Sequence, residues 1–305
     1  QDTLRAQQAD VTLISYAPIP LDASFPKRKL MVALAVIVFG LIGVVTALIV
    51  DQFDAGFRSS EQVERNLGIP VLGLVPMLKG IGRKGHIPGR YVLQQPTSAF
   101  AEAVRRVHAK LLQERSVRTV QVTSAEPSEG KTTLSLNLAH ISARLGGRTL
   151  LIDTDFRRSE IADLLQLRSS PGLVDVLTGR SRFSDVVQTD EGGADVVVAG
   201  GFESQTSEML ILRDLPALLK EVRDRYDLII VDAPPVISLV DAAVVAGQVD
   251  RTVLAVKWAG TRRSVVAHAL REINDAGGTL GGIILTKVDV RRHALYAFGD
   301  SGQYY

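Results

Sequence analysis

The stretch Thr123-Ser124-Ala125-Glu126-Pro127-Ser128-Glu129-Gly130-Lys131-Thr132-Thr133 decides how this chain is read. The run Val117 to Val122 leads into it and the amphipathic run Leu134 to Leu145 leads out. The order is strand, turn, helix, with Gly-Lys-Thr at the helix start. Backbone N–H groups at a helix N-terminus point at an anion, and the helix dipole favours negative charge there. Ser128, Glu129, Gly130, Lys131, Thr132 and Thr133 are therefore candidate phosphate contacts. Lys131 can reach terminal phosphates, and the Thr132 hydroxyl can hold Mg²⁺. One position departs from G-x-x-x-x-G-K-[ST]: Ala125 stands where the first Gly belongs.

Downstream of the loop the chain keeps the same grammar. Thr149 to Ile152 reads as a second strand, ending in Asp153-Thr154-Asp155-Phe156-Arg157-Arg158. Residues i and i+2 of an extended segment point the same way, so both acids can face one site. Asp195 to Ala199, Leu228 to Val231, Thr252 to Val256 and Gly282 to Thr286 read as further strands, and Leu228 to Val231 is closed by Asp232-Ala233-Pro234-Pro235. Helical periods over Ser207 to Arg223 and Ser264 to Ala276 fall between them. Continuously apolar strands alternating with helices imply an α/β fold, a parallel sheet covered by helices on both faces, with ligand at the strand C-terminal ends. Three acids, Asp153, Asp155 and Asp232, converge there, placed to organise a metal ion and to meet an attacking hydroxyl.

Upstream, Ser98 to Glu114 reads as a helix with Phe100, Val104, Val107 and Leu111 on its apolar face. Glu102, Arg105 and His108 sit three apart on a neighbouring stripe. Residues 77 to 96 are Gly-rich and basic, with Lys79, Arg83, Lys84 and Arg90. They read as a linker that can touch anionic lipid heads. Ser59 or Ser60 caps a short helix that Gly68-Ile69-Pro70 ends, and Val71 to Val75 is a short apolar piece.

Leu30 to Val50 holds no charged residue. About twenty apolar residues match a bilayer core of about 30 Å. No polar stripe marks a buried helix, and no small-residue cleavage site comes after it. The reading is a transmembrane helix. Lys27, Arg28 and Lys29 precede it, but a nucleotide site downstream requires cytosol on the C-terminal side. Residues 1–29 read as the end of an upstream domain. Across 305 residues the net charge is +2, too small to argue for nucleic acid. With no cysteine, disulfides and thiolate metal sites are excluded.

Together these parts resemble the bacterial tyrosine kinases of polysaccharide export, joined to their chain-length-determinant membrane region. Pro26 to Pro76, Glu102 to His108, Ser124 to Thr133, Leu151 to Arg158, Leu228 to Pro235 and the tyrosine-bearing tail carry the resemblance. It implies a P-loop kinase domain over 98–290 in the cytoplasm, a periplasmic end over 1–29, a span over 30–50 in the bacterial inner membrane, a juxtamembrane segment over 51–97 and a tail over 291–305. Its cofactors are ATP and Mg²⁺. Lys131 is expected on the ATP phosphates, with Thr132, Asp155 and Asp232 on the metal. Asp153 is expected to accept the tyrosine hydroxyl proton. Tyr296, Tyr304 and Tyr305 are the expected phosphoacceptors, presented to a neighbouring subunit in a homo-oligomeric ring whose interface uses Glu102 and Arg105. Implied partners are the polysaccharide polymerase and export machinery and a tyrosine phosphatase. Glu126 stands where related cell-division and partitioning ATPases carry an extra Lys. His108 replaces the last Arg of the family's assembly stripe, and Thr286 replaces an Asn near the base-binding loop. Two other readings of the same loop are an ATP-binding scaffold without kinase activity and a membrane-associated positioning ATPase.

Overall fold

The computed structural model describes residues 26–53, 56–78, 86–114, 116–201, 206–238 and 240–294. The chain divides into two compact units, 1–53 and 54–305. In the first, α1 runs Arg28–Phe53, and none of its Arg28–Thr46 stretch is buried. At about 1.5 Å per residue, this apolar rod is long enough to cross a bilayer. The Thr46 hydroxyl donates to the Ile42 carbonyl at 2.7 Å, so the rod's lone hydroxyl is satisfied within the helix.

The second unit is one eight-stranded sheet with helices on both faces. The strands are β1 (Val71–Pro76), β2 (Thr119–Ser124), β3 (Thr149–Asp153), β4 (Gln188–Thr189), β5 (Asp195–Val197), β6 (Leu228–Asp232), β7 (Arg251–Lys257) and β8 (Leu280–Val288). They lie in the order β1-β8-β7-β2-β6-β3-β5-β4, and every pair is parallel except β4 with β5. The helices are α2 (Ser60–Leu67), α3 (Tyr91–Gln94), α4 (Ala99–Leu111), α5 (Lys131–Arg144), α6 (Ile161–Leu165), α7 (Leu173–Leu177), α8 (Phe183–Val186), α9 (Thr206–Val222), α10 (Val240–Ala246), α11 (Arg263–Asp275) and α12 (Val290–His293).

Alternation within the buried strands sorts the core. Val120, Val122 and Leu151 face α4 and α5, whereas Leu150, Ile152 and Val231 face α9 and α10. Ile283, Leu285, Leu254 and Val256 pack under α11. Ser98 caps α4 by accepting from the Ala101 N–H, and Ser59 caps α2 through the Gln62 N–H.

Three sequence readings change here. The short apolar piece at 71–75 is an edge strand of the sheet: β1 pairs in parallel with β8 from Val71 to Pro76, and all six of its residues are buried. Gly73 permits this, because a Cβ there would lie 2.7 Å from the Val107 methyl of α4. Arg90, counted among lipid-facing cations, is buried instead. It pairs with Asp190 at 2.5 Å and donates to the Leu165 carbonyl at 2.9 Å; Lys79, Arg83 and Lys84 lie outside the described residues. His108 leaves the charged stripe and turns into the core, because α4 packs against both the sheet and α5.

Candidate active site

The phosphate loop joins β2 to α5. Ser128 (φ 64°) and Gly130 (φ 92°) adopt left-handed backbone, which folds the loop back over the first turn of α5. A cavity of about 340 Å³ opens there, lined by Ser128, Lys131, Thr132, Asp155, Arg158 and Ser238 among others.

At its floor the Lys131 ammonium lies 3.0 Å from Asp155 Oδ2 and 3.6 Å from Asp232 Oδ2. Burial works against its charge, yet Asp232 and Asp155 outweigh this and hold the pKa above the ordinary lysine value. The Thr132 and Ser135 hydroxyls donate to the two oxygens of Asp232, each at 2.8 Å. Asp232 stays above the usual carboxylate range through burial, which Lys131, Thr132 and Ser135 only partly offset.

Topology places the acids. β3 and β6 are neighbours, and Asp153 and Asp232 are register partners at their C-terminal ends. The chain turns at once after Asp153, so the two acids of Asp-x-Asp part company. Asp155 lines the cavity, whereas Asp153 sits fully buried behind it. Asp153 accepts from the Asp155 N–H at 3.0 Å and from the Ser159 hydroxyl at 2.7 Å. Burial, then the nearby Asp232, pushes its pKa up to about 8.

The Glu129 side chain has a separate role from its backbone. Its carboxylate turns away from the phosphate cavity and accepts from the Glu126 N–H (2.7 Å), the Lys257 N–H (2.9 Å) and the Thr261 hydroxyl. Burial raises its pKa against those donors. The side chain pins the loop to the end of β7, which leaves only the backbone of Glu129 to offer a phosphate. Ser128, Gly130, Lys131, Thr132 and Thr133 all line the cavity.

Sequence reasoning missed Ser135 and Ser159. Ser135 was legible, because it lies three residues after Thr132 and so on the same face of α5. Ser159 had no periodic signal. Glu102 accepts from Arg105 at 2.8 Å and from Arg106 at 3.3 Å, an ion-pair cluster on the partly exposed face of α4. Tyr296, Tyr304 and Tyr305 lie outside the described residues.

The residues fit a magnesium nucleotide. Mg²⁺ is commonly held by one or two carboxylates together with substrate phosphates. The Thr132 hydroxyl and the Asp232 carboxylate meet beside a cation-bearing cavity at a helix N-terminus, with Asp155 opposite.

A family model described as "AAA domain" matches residues 117–257. The tyrosine-protein kinase etk of Escherichia coli (strain K12) is 29% identical over 293 residues, 90% of this chain and 40% of that protein. The succinoglycan biosynthesis transport protein ExoP of Rhizobium meliloti (strain 1021) is 26% identical over 328 residues, 97% of this chain and 42% of that protein. The chain thus spans about 40% of the length of the curated relatives it matches. The solved kinase domain of Escherichia coli tyrosine kinase ETK is 30% identical with a TM-score of 0.71, covering 75% of this chain and 94% of that one. A likeness that runs almost end to end over a solved kinase domain, on the same sheet that carries the phosphate loop, places this chain in the bacterial tyrosine kinase family.

Proposed function

We propose that the chain is the membrane-anchored, ATP-dependent protein tyrosine autokinase part of a system that regulates exopolysaccharide polymerisation and export. The observation that carries this reading is the Lys131 ammonium held between Asp155 and Asp232, with the Thr132 hydroxyl on Asp232, at the floor of the cavity. This is a preorganised charge site for a transferring phosphoryl group, where positioning and electrostatics supply most of the catalysis.

In the proposed reaction a tyrosine oxygen forms a bond to the γ-phosphorus of ATP, the bond to the β-phosphate oxygen breaks, and ADP leaves. Lys131 steadies the phosphates and the helix N-terminus of α5 receives them. Thr132 and Asp232, together with Asp155, would hold Mg²⁺, which would supply charge neutralisation. Of the two Asp-x-Asp acids, Asp155 reaches the cavity, and we assign it the hydroxyl proton that the resemblance gives to Asp153. Asp153 then acts as a positioning residue through the Asp155 N–H and Ser159. Tyr296, Tyr304 and Tyr305 are the proposed acceptors, from a neighbouring subunit in a ring that uses Glu102 and Arg105. The α1 anchor suits the bacterial inner membrane, and a tyrosine phosphatase would reset the tail.

The test is incubation of the full chain with ATP and Mg²⁺, then phosphosite mapping by mass spectrometry. The expected result is phosphotyrosine in 291–305 that disappears in Lys131→Met. Phosphate released to water with no modified tyrosine would replace this reading with an ATPase. Nucleotide binding without turnover would replace it with a scaffold.

A further inference from the structure

The phosphate loop is held from outside as well as from within. Glu129 is 2% exposed, and its carboxylate meets three neutral donors. One oxygen accepts from the Glu126 N–H and closes the loop on itself. The other accepts from the Lys257 N–H and the Thr261 hydroxyl, which belong to the turn at the end of β7. β7 is the sheet neighbour of β2, the strand that feeds the loop, with Ala255 opposite Ser124. Burying a carboxylate is costly, and neutral donors offset only part of that cost. What the Glu129 carboxylate joins in return is the ends of two adjacent strands.

The turn 257–261 is itself fixed. The Gly260 and Thr261 N–H groups both donate to the Lys257 carbonyl, at 3.1 and 3.3 Å. Ala259 has left-handed backbone (φ 50°), a conformation an alanine keeps only where its surroundings impose it. Residues 56–58 supply those surroundings on the far side of the turn. The Ala259 N–H donates to the Phe57 carbonyl at 2.9 Å, and the Trp258 indole N–H donates to the Arg58 carbonyl at 2.8 Å. Gly56 lets this segment lie close, because a Cβ there would stand 2.7 Å from the Ala259 carbonyl carbon. Thr261, 1% exposed, therefore offers its hydroxyl to Glu129 from a braced turn. It does not line the phosphate cavity.

We propose that Thr261 is a positioning residue for phosphoryl transfer, acting through the Glu129 carboxylate to set where the phosphate loop stands. The loop N–H groups meet the phosphates, and misplacing such a group by about 1 Å can cost about 10²-fold in rate. Thr261 touches no phosphate and acts at one remove. This deepens the proposed kinase reading and rests on it for the transfer step, whereas the hold on a bound nucleotide does not need that step. Thr261 also lies beyond residues 117–257, the stretch the family model covers.

The test measures Mg²⁺-ADP affinity by calorimetry and tyrosine phosphorylation per folded molecule, both on the full chain. Thr261→Val keeps the shape and removes the hydroxyl; Thr261→Ser keeps the hydroxyl. Thr252→Val is the control, since it removes another buried hydroxyl of β7, one bonded to Gln121 and remote from the loop. Thr261→Val is expected to weaken Mg²⁺-ADP about tenfold and to slow phosphorylation at least as much, the scale of one lost hydrogen bond. Thr261→Ser should recover most of both, and Thr252→Val should change neither. Glu129→Gln keeps one acceptor oxygen, and adding Thr261→Val to it should cost less than Thr261→Val costs alone, because the two side chains act as one unit. Wild-type ADP affinity in Thr261→Val, an equal loss in Thr261→Ser or Thr252→Val, or fully additive losses with Glu129→Gln would overturn the inference and leave the kinase reading intact. A wild-type chain that binds Mg²⁺-ADP and modifies no tyrosine would remove the kinase reading, and the ADP measurements would then decide whether Thr261 positions the loop.

Discussion

Two buried clusters of carboxylate and cation are each anchored on α5, one at Lys131 and one at His140. Lys131, Asp155 and Asp232 form one. Arg90, His140 and Asp190 form the other: Asp190 accepts from Arg90 at 2.5 Å and lies 2.7 Å from His140 Nε2, with the Gly192 N–H adding a third contact at 3.0 Å. Burial would raise the Asp190 pKa, but these donors hold it well below the carboxylate range. The chemistry of the two clusters is alike and the access is not. Lys131 and Asp155 of the first line a cavity of about 340 Å³; in the second, the His140 and Asp190 side chains are 1% and 0% exposed. Ionisable groups gathered under a sheet mark a functional site only where something can reach them. Where nothing can, the same groups pin segments together, here the 88–90 turn, α5 and the β4–β5 hairpin.

That contrast can be broken from either side. Lys131→Met should reduce tyrosine phosphorylation by about 10²–10³-fold, the scale of losing one preorganised electrostatic stabiliser. It should also lower the melting temperature, since Asp155 and the buried Asp232 lose the cation between them, but by less than Asp190→Ala, because this site opens on a cavity. Phosphate incorporation and a thermal melt on the same preparation check both halves. Asp190→Ala should do the reverse. It leaves Arg90 with only the exposed Glu191 and the Leu165 carbonyl, takes the carboxylate from His140, and costs about 3–5 kcal/mol in denaturant unfolding, with activity per folded molecule retained. If Asp190→Ala removed activity from fully folded protein, the second cluster would be no mere pin.

Ser135→Ala sharpens the comparison within the active cluster. It takes one of two hydroxyl donors from Asp232 and leaves a fully buried carboxylate oxygen short of a partner. The expected cost is about 1–3 kcal/mol in stability. A several-fold loss of kcat with little change in KM should accompany it, because the oxygen concerned is held by the fully buried Ser135, which does not line the cavity. Ser135→Thr, which restores a hydroxyl, should recover part of both.

The active cluster was legible because each member sits at a boundary the sequence announces. Lys131 and Thr132 come directly after a glycine at a helix start, and Asp155 and Asp232 come at the ends of apolar strands. Asp190 sits in a loop with no period, and its partners are 50 and 100 residues away in the chain. β1 was unreadable as a sheet strand for the same reason. It pairs with β8 more than two hundred residues later, and nothing local distinguishes an edge strand from an apolar piece of linker. Asp153 shows the limit of face arithmetic. The i, i+2 rule holds only while the chain stays extended, and β3 ends at Asp153 itself.

His108 gives the smallest effect and the cleanest one to interpret. Its spacing places it on a charged stripe; in the fold it is 8% exposed, and its Nε2 has no hydrogen-bond partner among the described residues. Around it lie Leu111, Val120, Leu138, Leu228 and Ile230, which surround a void of about 10 Å³. Burial pushes its imidazole pKa down, so the folded chain keeps the ring neutral. The sign comes from linkage. Above about pH 6.5 neither state holds the proton, and the ring costs stability only through its unmet donor or acceptor. As pH falls below about 6.5, the unfolded chain binds a proton that the folded chain refuses. Stability then drops by up to about 1.4 kcal/mol per pH unit until the folded value is reached. His108→Leu removes both penalties. Urea unfolding should show it more stable than wild type at about pH 7.5 by about 1 kcal/mol, and by a wider margin at about pH 5.5. A margin that does not widen with acid would mean that the ring is protonated in the fold, and so paired with a group the cavity does not show.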